Sequence, residues 1–126
     1  MMAKPDQATK NILILFSQPP YDGLLSREAM DIMFSFTAYR QPVCPVFIGN
    51  GVFQLVKNQN PAKIGAKNSA KMLSALGLYG IEKVYVDSDS LLARGLTTSH
   101  LLIEHEIATI DRIGQLIDQA DQVFHY

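Results

Sequence analysis

Apolar positions in this chain come in short blocks separated by polar, proline- or glycine-bearing stretches, and the blocks switch between two periods. Met1 to Lys10 is polar, contains Pro5 and has no period that would bury a face. It reads as a flexible N-terminal arm (1–10) ahead of one domain over 11–126. Ile12-Leu13-Ile14-Leu15-Phe16 is a continuous apolar run, the pattern of a strand buried on both faces in a parallel sheet. Pro19-Pro20 and Asp22-Gly23 then break the chain into a loop. From Leu25 to Tyr39, Ala29, Met30, Met33, Phe34 and Phe36 to Ala38 recur at helical spacing. Ser26 opens a capping-box-like Ser-Arg-Glu-Ala whose acidic residue falls one place early.

Val43 to Ile48 predicts a second strand, and Pro42 and Pro45 argue that its beginning is not deep in a ladder. Gly49-Asn50-Gly51 turns the chain into a short helix carrying Val52, Phe53, Leu55 and Val56. A polar stretch, Asn58 to Asn68, leads to a helix over Ala70 to Leu76, closed by Gly77. Ile81, Val84 and Val86 mark a third strand, and Asp87-Ser88-Asp89-Ser90 can cap a helix from Leu91 to Arg94. Leu101-Leu102-Ile103 is read as a fourth strand. Apolar residues at 107, 110, 113, 116, 117 and 120 predict an amphipathic helix over Ile107 to Ala120, and Gln122 to His125 a last strand. Strands alternating with helices imply a three-layer α/β fold of flavodoxin/Rossmann-like type. Its sheet is five-stranded and mainly parallel, with helices on both faces.

Composition narrows the classes. A chain of 126 residues, 48% hydrophobic, has the size of one domain and can bury roughly two-thirds of its unfolded surface. A net charge of -1 gives no electrostatic case for direct nucleic-acid binding by this chain. Cys44 is the only cysteine, so no intramolecular disulfide can form. No apolar segment approaches the ~20 residues needed to span a bilayer, and no secretory signal is visible. The cytoplasm is the default reading.

In open α/β sheets ligands bind beyond the carboxyl ends of the strands. The loop Ser17 to Gly23 is not glycine-rich and cannot supply the backbone N–H cradle of a dinucleotide or P-loop site. Gly49-Asn50-Gly51 reads either as a tight turn needing positive φ or as a donor set for an anion or a partner's carbonyl. Cys44, inside Pro42-Val43-Cys44-Pro45-Val46, has no charged sequence neighbour and reads as a small buried hydrophobe. His100, His105 and His125 are too dispersed for a local ligand set, and Asp87 and Asp89 suit a helix cap better than a cation. Glu28 suits the first turn of its helix, paired in solvent with Arg27. Core packing accounts for Phe47, whereas Phe53 and Tyr79, flanked by glycine and polar residues, are also interface candidates.

Two stretches, Phe47-Ile48-Gly49-Asn50-Gly51-Val52-Phe53-Gln54-Leu55 and Leu76-Gly77-Leu78-Tyr79-Gly80-Ile81-Glu82, resemble the C-type subunit of sulfur-relay assemblies in the DsrE/DsrF-like family. The resemblance runs from about Asn11 to Tyr126. It implies a heterohexamer with homologous small subunits of B and D type, relaying persulfide sulfur toward 2-thiolation of the tRNA wobble uridine. The working cysteine of such assemblies belongs to the D-type subunit, and the stretch from Asn58 to Asn68 here contains no cysteine. The chain is therefore expected to be a non-catalytic structural subunit, with no catalytic, cofactor-binding or metal-ligating residue. Its interface candidates are Asn50, Phe53, Gln54, Tyr79 and Tyr126. The alternatives are an F-type subunit in sulfur oxidation, a thiol carrier using Cys44, and a flavodoxin-like small-molecule binder, which the missing phosphate loop disfavours. Two features depart from the family pattern: the arm is longer, and Asn50 stands in place of an acidic residue.

Overall fold

The apolar run Ile12–Phe16 forms β1, and strands flank it on both sides. A computed structural model describes residues 10–19, 25–56, 76–81, 84–101 and 105–126. Helix α1 spans Leu25–Ala38 and β2 Val43–Phe47, followed by a 3-10 segment over Gly49–Leu55. After a 3-10 turn at Leu76–Tyr79 come β3 (Val84–Asp87), α2 (Ser88–Ala93) and a 3-10 turn at Thr98–His100. The chain closes with β4 (His105–Ala108), α3 (Ile110–Gln119) and β5 (Gln122–His125). The sheet order is β4-β3-β2-β1-β5 and every pairing is parallel. The arm at 1–9, the polar stretch 58–68 and most of the expected helix over Ala70 to Leu76 lie outside the described residues.

Alternation along the strands sorts side chains to two faces. Ile12, Ile14, Phe16, Phe47, Val84 and Val86 join Ala29 and Met33 of α1 and Val52 and Leu55 of the 3-10 segment in the larger core. The Phe16 and Phe47 rings stack there, with centroids 4.6 Å apart. On the other face Leu13, Val46 and Ala108 pack against Ile113 of α3, flanked by Cys44, Tyr85, Leu116 and Ala120. Helices thus cover both faces, as the pattern requires. Pro45 sits in a central strand without disrupting it, because pairing with β3 begins only at Val46.

Some expected element positions need correction. The fourth strand is His105–Ala108, not Leu101-Leu102-Ile103; Leu101 forms only an isolated antiparallel bridge with Val56. The last helix begins at Ile110 rather than Ile107, because Ile107 and Ala108 pair with Val86 and Asp87. Thr109 sets the boundary, its hydroxyl accepting from the Arg112 N–H at 3.3 Å. Gly77, expected to close a helix over Ala70 to Leu76 that lies almost wholly outside the described residues, falls inside the Leu76–Tyr79 turn, and Gly80 (φ 87°) ends that turn in a left-handed conformation.

Two glycines respond oppositely to a methyl group. A Cβ at Gly51 would overlap the Phe16 carbonyl at the end of β1, whereas one at Gly114 in α3 meets nothing within 4 Å. Gly51→Ala is expected to destabilise the chain by about 3 kcal/mol. Gly114→Ala should stabilise it by about 0.5–1 kcal/mol, both measured by denaturant unfolding.

Candidate functional site

The carboxyl ends of β1, β2, β3 and β5 carry a connected polar crest. The Ile48 N–H donates to Phe16 O at 3.0 Å, which seats the turn after β2 on the end of β1. Gly49 follows with φ 52° and donates its N–H to Ser90 Oγ at 2.8 Å. Ser90 in turn donates Oγ–H to Asp87 Oδ2 at 2.5 Å, and the same carboxylate oxygen caps α2 by accepting the Ser90 N–H at 3.2 Å. Asp87 is therefore a helix cap that also pins the β2 turn through Ser90. Arg94, the C-cap of α2, donates Nε–H to Asn50 Oδ1 at 3.1 Å and Nη1–H to Ser90 O at 3.1 Å. The expected helix over Leu91 to Arg94 thus starts earlier, at Ser88.

At the junction of β1 and β5, Ser17 donates both N–H and Oγ–H to Tyr126 O, at 2.7 and 2.9 Å. His125 Nε2 lies 2.9 Å from the same Oγ. The Ser17 hydroxyl has one proton, and both Tyr126 O and His125 Nε2 lie within its reach. Together these contacts clamp the end of β5 to β1.

Cys44 lies toward the other end of the sheet. It is the second residue of β2, half-buried on the α3 face beside a pocket of about 230 Å³ shared with Asn11, Leu116 and Ala120. Burial pushes its pKa up to about 11; Arg112 offsets part of that rise and Glu106 adds to it. Charges absent from the sequence neighbourhood thus arrive from β4 and α3. Arg112 lies 3.7 Å from Glu106 and 5.7 Å from the centre of the Tyr85 ring. A nucleophilic thiol needs the opposite shift, so at neutral pH Cys44 is a protonated thiol.

Among the interface candidates, Asn50 is exposed and joins the crest through Arg94. Phe53 is half-buried, and Tyr126 is half-buried against the larger core. Tyr79 lies in the 3-10 turn, its side chain outside the described residues. Gln54 is 1% exposed. Its Nε2 donates to Gln18 O at 3.0 Å, and its Oε1 has no partner among the described residues. It supports the turn from beneath rather than facing outward. The loop after β1 and the β2 turn are thereby joined, whereas Cys44 stands apart from both. Nothing in the linear sequence joins Arg94, Ser90 and His125 to the crest; the run Asp87 to Ser90 carries a readable signal only as a cap.

The fold and crest define an open α/β domain whose available polar groups gather at the carboxyl ends of its parallel strands, where this class presents its functional groups. The chain belongs to the DsrE/DsrF-like family, whose pattern matches residues 10–126. It is 39% identical to the protein TusC of Buchnera aphidicola subsp. Acyrthosiphon pisum, over 93% of this chain and 99% of that one. A TusC homolog of Vibrio parahaemolyticus is 34% identical over 89% of this chain and 95% of its own length. The intracellular sulfur oxidation protein DsrF of Allochromatium vinosum is 31% identical over 95% and 98%. The crystal structure of the ychN protein from E. coli superposes with a TM-score of 0.82 at 19% identity, covering 93% of this chain and 99% of that one, and shares the fold.

The raised Cys44 pKa has a signature in stability. The folded-state value of about 11 exceeds the ordinary 9.0, so the unfolded thiol ionises first as pH rises. Stability from this group is complete below pH 9 and is lost as pH climbs toward 11. The difference in unfolding free energy between wild type and Cys44→Ala should therefore be flat below pH 9 and shrink above it.

Proposed function

We propose that this chain is a structural, non-catalytic subunit of a sulfur-relay assembly, in which persulfide sulfur is carried by a partner and not by Cys44. The observation that carries this reading is the state of the sole cysteine. It is half-buried, pushed toward the neutral thiol, and placed away from the polar crest. The relatives named TusC and DsrF support the sulfur-relay context. Exposed apolar side chains support association with other subunits. Val123 is exposed on β5, an edge strand, and Ile107 on β4, the opposite edge strand; Ile110 and Ile117 are exposed on α3. The partners proposed are homologous small subunits of B and D type in a heterohexamer, with Asn50, Phe53, Tyr79 and Tyr126 contributing to contacts.

The pathway proposed is 2-thiolation of the tRNA wobble uridine in the cytoplasm, with this chain acting indirectly and not binding the tRNA itself. Among the described residues no helix is long and apolar enough to cross a membrane. A second reading, an F-type subunit in sulfur oxidation, draws on the near full-length similarity to DsrF.

Deletion of the gene should abolish 2-thiouridine in bulk tRNA, measured by nucleoside mass spectrometry, and Cys44→Ser should restore it to near wild-type level. Normal 2-thiouridine in the deletion strain favours the sulfur-oxidation reading. Failure of a folded Cys44→Ser variant to restore thiolation would make Cys44 the carrier.

A further inference from the structure

The polar crest holds a guanidinium whose charge the described residues do not pair. Arg94 is half-buried and forms no ion pair among them. Its two acceptors, Asn50 Oδ1 and Ser90 O, are both neutral. A guanidinium carries five N–H bonds in a rigid plane, so these contacts leave three, one on Nη1 and two on Nη2. The Nη2 atom lies 3.9 Å from where a side-chain carbon on Gly49 would sit, and Ser17 O is 4.0 Å from that same point. The N–H groups left without an acceptor among the described residues therefore lie over the carboxyl ends of β1 and β2.

The contact with Ser90 O is ordinary capping at the end of α2. The contact with Asn50 is not, since Asn50 belongs to another element and is 44 residues away in sequence. Two acceptors from two elements fix the guanidinium before any ligand arrives, so binding would not have to order a long flexible side chain. Asn50 is exposed, and its Nδ2 has no partner among the described residues, which adds a neutral donor beside the cation. A carboxylate at position 50 would neutralise Arg94 within the chain; an amide holds it in place and leaves its charge available.

We propose that Arg94 and Asn50 form a receptor for one oxyanion, of carboxylate or phosphate type, seated above the Gly49 turn. Carboxylate and phosphate both match the planar fork of an arginine through charge-assisted hydrogen bonds. The site involves neither Cys44 nor sulfur chemistry; because Asn50 is also proposed as a subunit contact, it is tested on this chain without partner subunits.

The test is an NMR titration of the full-length 15N-labelled chain with sodium phosphate and, separately, sodium acetate, ionic strength being held constant with sodium chloride. Saturable shifts are expected at the Arg94 Nε–H and at the amides of Gly49, Asn50 and Gly51. Tighter binding of phosphate would identify a phosphate-bearing ligand, and tighter binding of acetate a carboxylate. Arg94→Gln should weaken binding about tenfold or more. Asn50→Asp supplies an internal carboxylate to Nε and should weaken binding similarly while leaving the melting temperature at or above that of wild type. This second variant decides the matter if Arg94→Gln fails to fold. Unsaturable shifts in the wild type, or undiminished affinity in a folded variant, would overturn the proposal.

Discussion

Gly51 packs against the end of β1 so closely that the turn after β2 has a single seat. The turn after β2 passes directly over the Phe16 carbonyl, at a separation that leaves no room for a Cβ. That seating directs Val52 and Leu55 into the larger core and places Gln54 beneath the loop after β1. It also brings the Gly49 N–H under Ser90, which Asp87 holds from the end of β3. Core and crest are thus two consequences of one contact. A shift of the turn would strand a fully buried glutamine and break the link between β2 and α2, both costly in a low-dielectric interior.

Much of the architecture was legible because the physics that forms it is local. The run Ile12–Phe16 has no polar residue to compete with burial, and α1 repeats its apolar residues with the helical period. The fourth strand was illegible for a physical reason. It lies at a sheet edge, begins with His105-Glu106 and ends with Ile107-Ala108, which fall in phase with the apolar stripe of α3. Only the Thr109 cap separates strand from helix there. The crest was half legible. Gly49-Asn50-Gly51 announces a turn, but its glycines serve different ends: Gly49 adopts positive φ, while Gly51 is needed for closeness. Nothing in a linear reading joins Asn50 to Arg94, or Cys44 to Arg112 and Glu106. Those pairs are created by the parallel crossovers.

The sheet separates two kinds of chemistry. Its sole thiol sits near the amino end of β2, against α3, where burial favours the neutral form. Its organised polar groups, Asp87, Ser90, Arg94, Asn50 and the Ser17–His125 clamp, gather at the carboxyl ends. A carrier of reactive sulfur would need its thiol among the second set, near a cation and open to approach. Membership of the DsrE/DsrF-like family, with relatives named TusC and DsrF, makes this division informative. The domain keeps the family's fold, while burial raises the pKa of its one thiol.

Native mass spectrometry can read whether sulfur in transit rides on a partner or on Cys44. The assembly would be purified from its own cells without reductant, then its subunits weighed intact. Two further small homologous subunits in equal copy number are expected, with an added sulfur atom on one of them and none on this chain. An added sulfur on Cys44, or emergence of this chain alone or only as copies of itself, would overturn the structural role proposed for it.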